Sequence, residues 1–308
     1  MSRPRVVAIV GPTASGKTGV AVEVARRVRA EVISADSRQV RRGMVIGTAA
    51  PTAAEQVAVP HHLVGVVEPD ATWNLTAWLE HARALVPEIH GREALPLVVG
   101  GTGQYLWALL EGWDVPSVPP QPAFRARLEA RADAGEGMAL HAELRAVDPD
   151  SAERIDPRNS RRVIRALEIV QATGRPVPPL RPRDPGFDWR VVGLRWSREA
   201  IHERADRRVV AMFEAGLVEE ARGLVERYGR DFDALRSIGY REAVAVLDGS
   251  MSVPDAIRQT QIETHRLIRM QANWFRADDA RIEWIDGADL EAAVEAVLRA
   301  VVGREDGS

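Results

Sequence analysis

The chain has 308 residues, of which 45% are hydrophobic and 28% are charged, and its formal net charge is −3. This composition indicates a folded protein with one large domain or two unequal ones, and it excludes wholesale disorder and a histone-like polycation. The sequence lacks cysteine, which excludes disulfides, thiolate metal sites and a cysteine nucleophile and suits a reducing compartment. No apolar run reaches the roughly 18 residues of a membrane span, so we expect a cytoplasmic protein with no membrane-spanning segment.

The first thirty residues contain a phosphate-binding pattern. The apolar run Val6–Val10 predicts a buried parallel strand, and the apolar spacing over Val20–Val28 predicts a helix. The segment between them matches G-x-x-x-x-G-K-[ST] at every fixed position and consists of Gly11, Pro12, Thr13, Ala14, Ser15, Gly16, Lys17 and Thr18. A strand, a glycine-rich loop and a helix in this order form a P-loop, whose N–H groups surround a di- or triphosphate.

Lys17 and Thr18 complete the predicted phosphate site. Of the 41 basic residues in the chain, 40 are arginines, and Lys17 is the single lysine. A lysine ammonium is a compact charge on a flexible stem that reaches terminal phosphates, and the rigid fork of an arginine replaces it poorly. The hydroxyl of Thr18 is a candidate ligand for Mg²⁺. The pattern therefore predicts a bound phosphate compound, but it leaves the reaction open.

Two further loops are predicted to lie beside the P-loop. Residues 31–39 have the pattern of a short strand followed by a polar loop, which places Asp36 at the carboxyl end of that strand. Asp36 is a candidate general base or Mg²⁺ ligand, and a helix N-cap is the alternative. The apolar run Leu95–Val99 leads into Gly100-Gly101-Thr102-Gly103, where ATP-hydrolysing P-loop enzymes usually have an aspartate. Thr102 is a candidate for hydrogen bonding to a substrate, the glycines would admit a bulky group, and a tight strand-to-helix turn is the alternative.

The ordered set of motifs along the chain resembles the bacterial tRNA dimethylallyltransferases. Besides the P-loop, the matching segments are Ile33–Val40, Gly43-Met44, Ile46–Ala49, Pro60–Leu63, Val99–Gly103, Arg161–Glu168, Ile238–Glu242 and Trp274–Arg276. The resemblance implies an α/β fold in which a P-loop NTPase-like parallel sheet is flanked by helices. It also implies that the dimethylallyl group of dimethylallyl diphosphate is transferred, with the help of Mg²⁺, to the N6 amine of the adenosine next to the tRNA anticodon.

The resemblance also implies roles for individual residues. Asp36 corresponds to the proposed base and Thr102 to a threonine that hydrogen-bonds the reacting region, while Lys17 would stabilise the departing diphosphate. The family pattern R-x-x-x-R falls on Arg204 and Arg208, which share a helix face and are predicted to contact diphosphate or RNA, with a solvated helix face as the alternative. Contacts with tRNA are implied for Asp36, Ser37, Arg38, Gln39, Thr102, Arg161, Arg162, Val163, Ile164 and Arg165.

The middle of the chain is predicted to be a helical insertion. A proline-rich stretch, residues 113–122, precedes a long run with a helical pattern, and Val191–Leu194 has the pattern of a strand that returns to the sheet. We therefore expect a P-loop catalytic core made of residues 1–113 and 191–308, and a helical, tRNA-binding insertion made of residues 114–190.

The charge distribution favours a polyanionic partner. Residues 154–208 contain 14 arginines and 7 acidic residues, although the whole chain is slightly acidic. Such a local excess is expected on a surface that contacts RNA phosphates, and an ordinary solvated surface is the alternative. The expected partners are the anticodon stem-loop of tRNA and dimethylallyl diphosphate, and the expected state of the protein is a monomer.

Seven positions depart from the family pattern, and they cluster around the expected substrate channel. They are Arg41, Val45, Ala50, Gly65, Gln104, Met270 and Asn273. Three alternatives to transfer onto tRNA stay open, two of them because of these departures and the kinase because it would use the same P-loop lysine, Mg²⁺ and arginines. These are a divergent paralogue that prenylates another RNA or a free adenine nucleotide, a P-loop nucleotide kinase, and an RNA-binding protein without catalytic activity.

Overall fold

A computed structural model describes residues 3–116, 118–119 and 121–302 of the chain. The chain forms two compact units, one made of Met1–Gly112 with Asp184–Ser308 and the other of Trp113–Arg183. The chain therefore rejoins the first unit earlier than residue 191, the predicted start of the second core segment. The reason is that Asp188 already pairs with Arg5 at the start of a sheet strand.

The first unit is an α/β sheet with helices around it. Its strands are β1 (Arg5–Val10), β2 (Ala30–Ser34), β3 (His61–His62), β4 (Leu95–Gly100), β5 (Asp188–Arg195) and β6 (Ile282–Asp286). Its helices are α1 (Lys17–Ala25), α2 (Ala53–Ala58), α3 (Leu75–Gly91), α4 (Gly103–Leu110), α9 (Arg198–Glu214), α10 (Leu217–Tyr228), α11 (Tyr240–Leu247), α12 (Val253–Ala272) and α13 (Leu290–Val302). Within the described ranges, no helix combines the length and the hydropathy needed to cross a membrane.

All six strands are parallel and lie in the order β3-β2-β4-β1-β5-β6. The predicted α/β class is confirmed. β1, β2 and β4 are almost entirely buried, which explains why their sequences are continuous apolar runs instead of alternating patterns. Because β4 lies between β1 and β2, the loops that follow these three strands lie side by side at one edge of the sheet.

Several element boundaries differ from the sequence expectations. Helix α1 starts at Lys17 instead of Val20, since Gly16 adopts a left-handed φ of 96° and ends the loop there. A second left-handed glycine, Gly216, separates α9 from α10. The strand β6 and the helix α13 were not predicted, and α13 packs its buried face against α1 and the sheet core.

The second unit is helical. It contains α5 (Pro122–Arg131), α6 (Gly137–Val147), α7 (Pro149–Arg154) and α8 (Ser160–Thr173), and a wide turn (Ala132–Glu136) joins the first two. Its apolar core draws on α5, α6, α7 and α8. A buried carboxylate, Glu168, accepts hydrogen bonds from the Gln121 N–H and from the guanidinium groups of Arg125 and Arg165. These bonds fix the start of α5 against α8.

Candidate active site

The P-loop follows β1 and folds tightly around its own backbone. Ala14 and Gly16 both have positive φ, and a Cβ at Gly11 would lie 2.9 Å from the Ser15 hydroxyl and 3.0 Å from the Leu194 carbonyl. The first position of α1 is therefore reached by a strained turn whose cap, Gly16, has no side chain to occupy the first N–H groups. A helix start of this kind is a receptor for an anion.

Lys17 lies folded over this loop. Its Nζ donates to the carbonyl oxygens of Pro12 at 2.7 Å and Gly11 at 3.1 Å, and more weakly to the Ser15 hydroxyl at 3.4 Å. Burial and, to a smaller extent, the positive charge of Arg208 lower the pKa of Lys17 to about 7, against an opposing pull from Asp36. The ammonium therefore lacks a counterion close enough to restore its ordinary pKa, and an anion in the loop would supply one.

Arg204 and Arg208 come from α9 and both contact the P-loop. Arg204 Nε donates to the Ala14 carbonyl at 3.0 Å, and Arg208 donates to the Thr13 hydroxyl. The Arg204 guanidinium also stacks on the Trp196 ring at 4.2 Å, which fixes its position. Burial lowers the pKa of Arg208, and Asp36 partly opposes that shift. The structure thus brings two of the predicted diphosphate ligands to the loop, and Arg204 is pinned by an aromatic residue that the sequence analysis did not single out.

Asp36 follows β2 and is held in place by its own loop. One carboxylate oxygen accepts hydrogen bonds from the backbone N–H of Arg38 at 2.8 Å and of Gln39 at 3.2 Å. Asp36 raises the pKa values of Lys17 and Arg208, so its carboxylate lies within electrostatic reach of the P-loop cations. The second carboxylate oxygen is free of these loop bonds and is the atom available for a proton or a substrate.

Thr102 follows β4 and links the two flanking loops. Its hydroxyl accepts a bond from the Ser37 N–H at 3.3 Å, and its own N–H donates to the Ala35 carbonyl at 3.1 Å. Gly100 is needed for this approach, because a Cβ there would lie 2.2 Å from the Ala35 oxygen. The structure therefore brings together Asp36, Ser37 and Thr102 next to the P-loop.

The neighbouring glycines serve a different purpose from the one expected. A Cβ at Gly101 would lie 2.2 Å from Gln271 Nε2, and a Cβ at Gly103 would lie 2.3 Å from Trp274 Cβ. The bulky groups that these glycines admit thus include side chains of the same polypeptide. Trp274 opens a segment that matched the family pattern, Trp274–Arg276, and Gln271 lies three residues before it. That segment was the one sequence signal that could have pointed to them.

Gln39 is held by a second set of contacts. Its amide nitrogen donates to the Ala49 carbonyl at 3.0 Å, and its amide oxygen accepts from the Ser34 hydroxyl at 3.1 Å. The turn before Ala49 is fixed by Glu220, whose carboxylate accepts from the Ile46 N–H at 2.9 Å and from the Tyr240 hydroxyl. Glu220 carried no recognisable sequence signal, because its role depends on the packing of α10 against this turn.

The predicted RNA-binding stretch on α8 is only partly available to a ligand. Val163 and Ile164 are 0% and 4% exposed, and their side chains pack in the core of the second unit. Arg165 donates to Glu168 and to the Val118 carbonyl and has a structural role. The exposed members of the stretch are Arg161 and Arg162. This division is expected, because a contiguous motif on a helix alternates between buried and exposed faces.

Of the seven departures from the family pattern, Arg41 is buried, Ala50 and Gly65 are half-buried, and the other four are exposed. Arg41 is buried and donates to the carbonyl oxygens of Glu68 at 3.2 Å, Pro69 at 3.3 Å and Ala71, which fastens residues 68–71 to the β2 loop. Burial lowers its pKa. The exposed departures are Val45, Gln104, Met270 and Asn273.

Comparisons with known proteins agree over nearly the whole chain. A family model described as IPP transferase matches residues 39–278, and one described as isopentenyl transferase matches residues 4–60. A tRNA dimethylallyltransferase of Chloroflexus aurantiacus is 48% identical over 273 residues, which cover 88% of this chain and 92% of that protein.

Solved structures give the same result. The tRNA isopentenylpyrophosphate transferase of Bacillus halodurans is 38% identical with a TM-score of 0.71, and the match covers 98% of this chain and 96% of that one. A eukaryotic dimethylallyltransferase acting on tRNA is 26% identical with a TM-score of 0.78, and the match covers 97% of this chain and 78% of that one.

Proposed function

The chain belongs to the IPP transferase family, and we propose that it transfers the dimethylallyl group of dimethylallyl diphosphate to the N6 amine of the adenosine next to the tRNA anticodon. The observation that carries the proposal is the arrangement at the edge of the sheet. An anion receptor after β1 faces a carboxylate, Asp36, after β2, and the loop of Thr102 lies between them. This arrangement suits a reaction in which an anion leaves one side while a proton leaves the other.

The P-loop side would hold the donor. As the new C–N bond forms, the C–O bond to diphosphate breaks and its electron pair stays with the diphosphate. Lys17, Arg204, Arg208 and the N–H groups at the start of α1 are positioned to stabilise this growing negative charge. They are oriented before the reaction, so little reorganisation is required.

The Asp36 side would receive the acceptor. The adenine amine is a poor nucleophile because its lone pair is delocalised into the ring. The amine becomes a better nucleophile as Asp36 takes an N6 proton, and such proton transfer raises the reaction rate about 10²- to 10⁴-fold. Thr102, which hydrogen-bonds the Asp36 loop through the Ser37 N–H, is placed to bond the reacting region. To reach this site, the adenine must leave its stacked position in the anticodon loop.

Mg²⁺ would assist by neutralising diphosphate charge. Within the described ranges, no cluster of three or more acidic or histidine side chains is arranged to hold a metal. Mg²⁺ usually keeps several waters and binds through substrate phosphates and one or two protein ligands. Thr18, at the start of α1, is the side chain that would contribute an oxygen ligand.

The second unit would contact tRNA through Arg161 and Arg162. Both are exposed on α8, and their neighbours Val163 and Ile164 anchor that helix in its core. The proposal places the reaction where tRNA is found, in the cytoplasm. It assigns catalysis to a monomer, because the P-loop, Asp36 and Thr102 all come from the sheet unit of one chain.

The test incubates the full-length protein with dimethylallyl diphosphate, Mg²⁺ and unmodified tRNA, followed by nucleoside mass spectrometry. The expected product is adenosine heavier by one C5H8 unit, and Asp36→Asn is expected to lose at least about 100-fold in turnover while still binding pyrophosphate. Product on free AMP alone would support the paralogue that uses free nucleotides. Phosphate transfer from ATP would support the kinase. Binding of tRNA without any product would overturn the catalytic assignment.

A further inference from the structure

We infer that Gln271 is a positioning residue that joins the P-loop to the loop carrying Thr102, an inference that rests on the proposed function. Gln271 lies at the end of α12 and reaches both loops with one side-chain amide. Its Oε1 accepts from the Thr13 N–H at 2.8 Å, and its Nε2 donates to the Gly101 carbonyl at 3.2 Å. It therefore spans the donor side and the acceptor side of the site.

The amide orientation is fixed by its two partners. A backbone N–H can only donate and a backbone carbonyl can only accept, so the oxygen of Gln271 must face Thr13 and its nitrogen must face Gly101. No charged side chain could make both bonds. A glutamate would place negative charge against the Gly101 carbonyl, and a lysine could not accept from Thr13.

The glycine loop after β4 is shaped around this contact. A Cβ at Gly101 would fall 2.2 Å from Gln271 Nε2, so the amide occupies the space that any other residue would need. Gly103 likewise makes room for Trp274, whose carbonyl accepts from the Trp107 indole at 3.1 Å on α4. The end of α12 is thus packed into the loop by two independent contacts.

The contact of Gln271 with both loops, here called the Gln271 bridge, sets the distance between the bound diphosphate and the bound acceptor. The diphosphate position follows the P-loop, and the acceptor position follows Thr102 and the Asp36 loop bonded to it. Without Gln271 each loop keeps its own internal hydrogen bonds, but the pair loses a direct connection. A misplacement of about 1 Å between reacting groups costs up to about 100-fold in rate. The expected signature is a loss of kcat with little change in ligand binding.

The primary variant is Gln271→Met, which keeps the length of the side chain and removes both hydrogen bonds. We expect kcat for tRNA prenylation to fall about 10- to 100-fold, while the calorimetric Kd for inorganic pyrophosphate stays within about twofold. The matched control is Gln259→Met on the same helix, where the glutamine amide donates to Glu263 one turn away at 3.2 Å. This control is expected to retain wild-type kcat.

A second variant guards against a simple folding defect. Gly101→Ala would displace the Gln271 amide, so it should lower kcat to a similar degree, and the double variant should be no worse than either single one. An unchanged kcat in Gln271→Met would overturn the inference, as would a rise in the pyrophosphate Kd that accounts for the whole loss. If Gln271→Met lowers the Tm but its kcat, calculated from the concentration of sites that bind pyrophosphate, is normal, then Gln271 has only a structural role and the inference is wrong.

Hydrogen exchange separates this inference from the proposed function. Pyrophosphate bound at the P-loop should slow exchange of the Thr102 and Tyr105 amides in the wild type, but not in Gln271→Met. If the wild type makes no prenylated adenosine, the proposed function fails. The exchange result then decides by itself whether Gln271 couples the P-loop to the loop that carries Thr102. Equal protection in both proteins would overturn the bridge.

Discussion

Binding of pyrophosphate to the P-loop should take up a proton at mildly alkaline pH, and Lys17 should receive it. In the free protein burial and the charge of Arg208 hold the pKa of Lys17 at about 7. A bound diphosphate places negative charge against the ammonium and should return the pKa to the ordinary lysine value, about 10.4. The free lysine is then mostly neutral above pH 7, whereas the bound lysine is charged.

The size of the effect follows from the two pKa values. At pH 8 a lysine with a pKa of about 7 is roughly 10% protonated, so binding should take up about 0.9 proton, and at pH 6 only about 0.1. Binding must take up protons and not release them, because between the two pKa values the complex holds more protons than the free protein. Between pH 8 and pH 10, each further unit of pH should therefore weaken pyrophosphate binding by nearly tenfold, which is about 1.4 kcal/mol per unit.

The assay is isothermal titration calorimetry of pyrophosphate in buffers with different ionisation enthalpies. The slope of observed enthalpy against buffer enthalpy gives the net protons taken up. Lys17→Met provides the baseline, because it keeps the ionisation of the ligand and removes the lysine. Equal proton uptake by the two proteins at pH 8, or uptake in the wild type that grows as the pH falls to 6, would refute the reasoning.

Three further outcomes are expected. Glu168→Ala should destabilise the helical unit by about 1–3 kcal/mol, because it removes the buried carboxylate that three part-buried donors share. The measurement is thermal unfolding, with pyrophosphate binding as the control for the sheet unit. The double variant Arg161→Ala/Arg162→Ala should weaken tRNA binding and make the slope of log K against log salt shallower by about 2. The control is Arg158→Ala, which changes a neighbouring arginine that is paired with Asp156. An unchanged slope in the double variant would remove α8 from the RNA-binding surface. Gly100→Ala would place a methyl carbon 2.2 Å from a backbone carbonyl of the β2 loop, so it should cost about 1–3 kcal/mol of stability and also lower kcat, and a protein with wild-type Tm would contradict the packing described here.

Sequence reasoning succeeded where the chemistry is local. The P-loop is eight consecutive residues whose glycines, lysine and flanking apolar runs specify a strand, a turn and a helix without help from distant contacts. The same reasoning placed Asp36 and Thr102 at strand ends, because the carboxyl ends of parallel strands meet at one edge. It missed β6 and α13, which add to the sheet and to its apolar core.

What the sequence by itself determined is therefore the α/β class, the phosphate-binding loop and the residue types able to act on either side of it, since these depend on local backbone geometry and hydrophobic periodicity. The tertiary structure decided which loops became neighbours. It placed β4 between β1 and β2, brought Arg208 to Thr13, and carried Gln271 across a separation of 258 residues to the P-loop. Contacts of this kind, like the lowered pKa of Lys17, arise only when packed elements exclude water and fix side chains together, which no short stretch of sequence can specify.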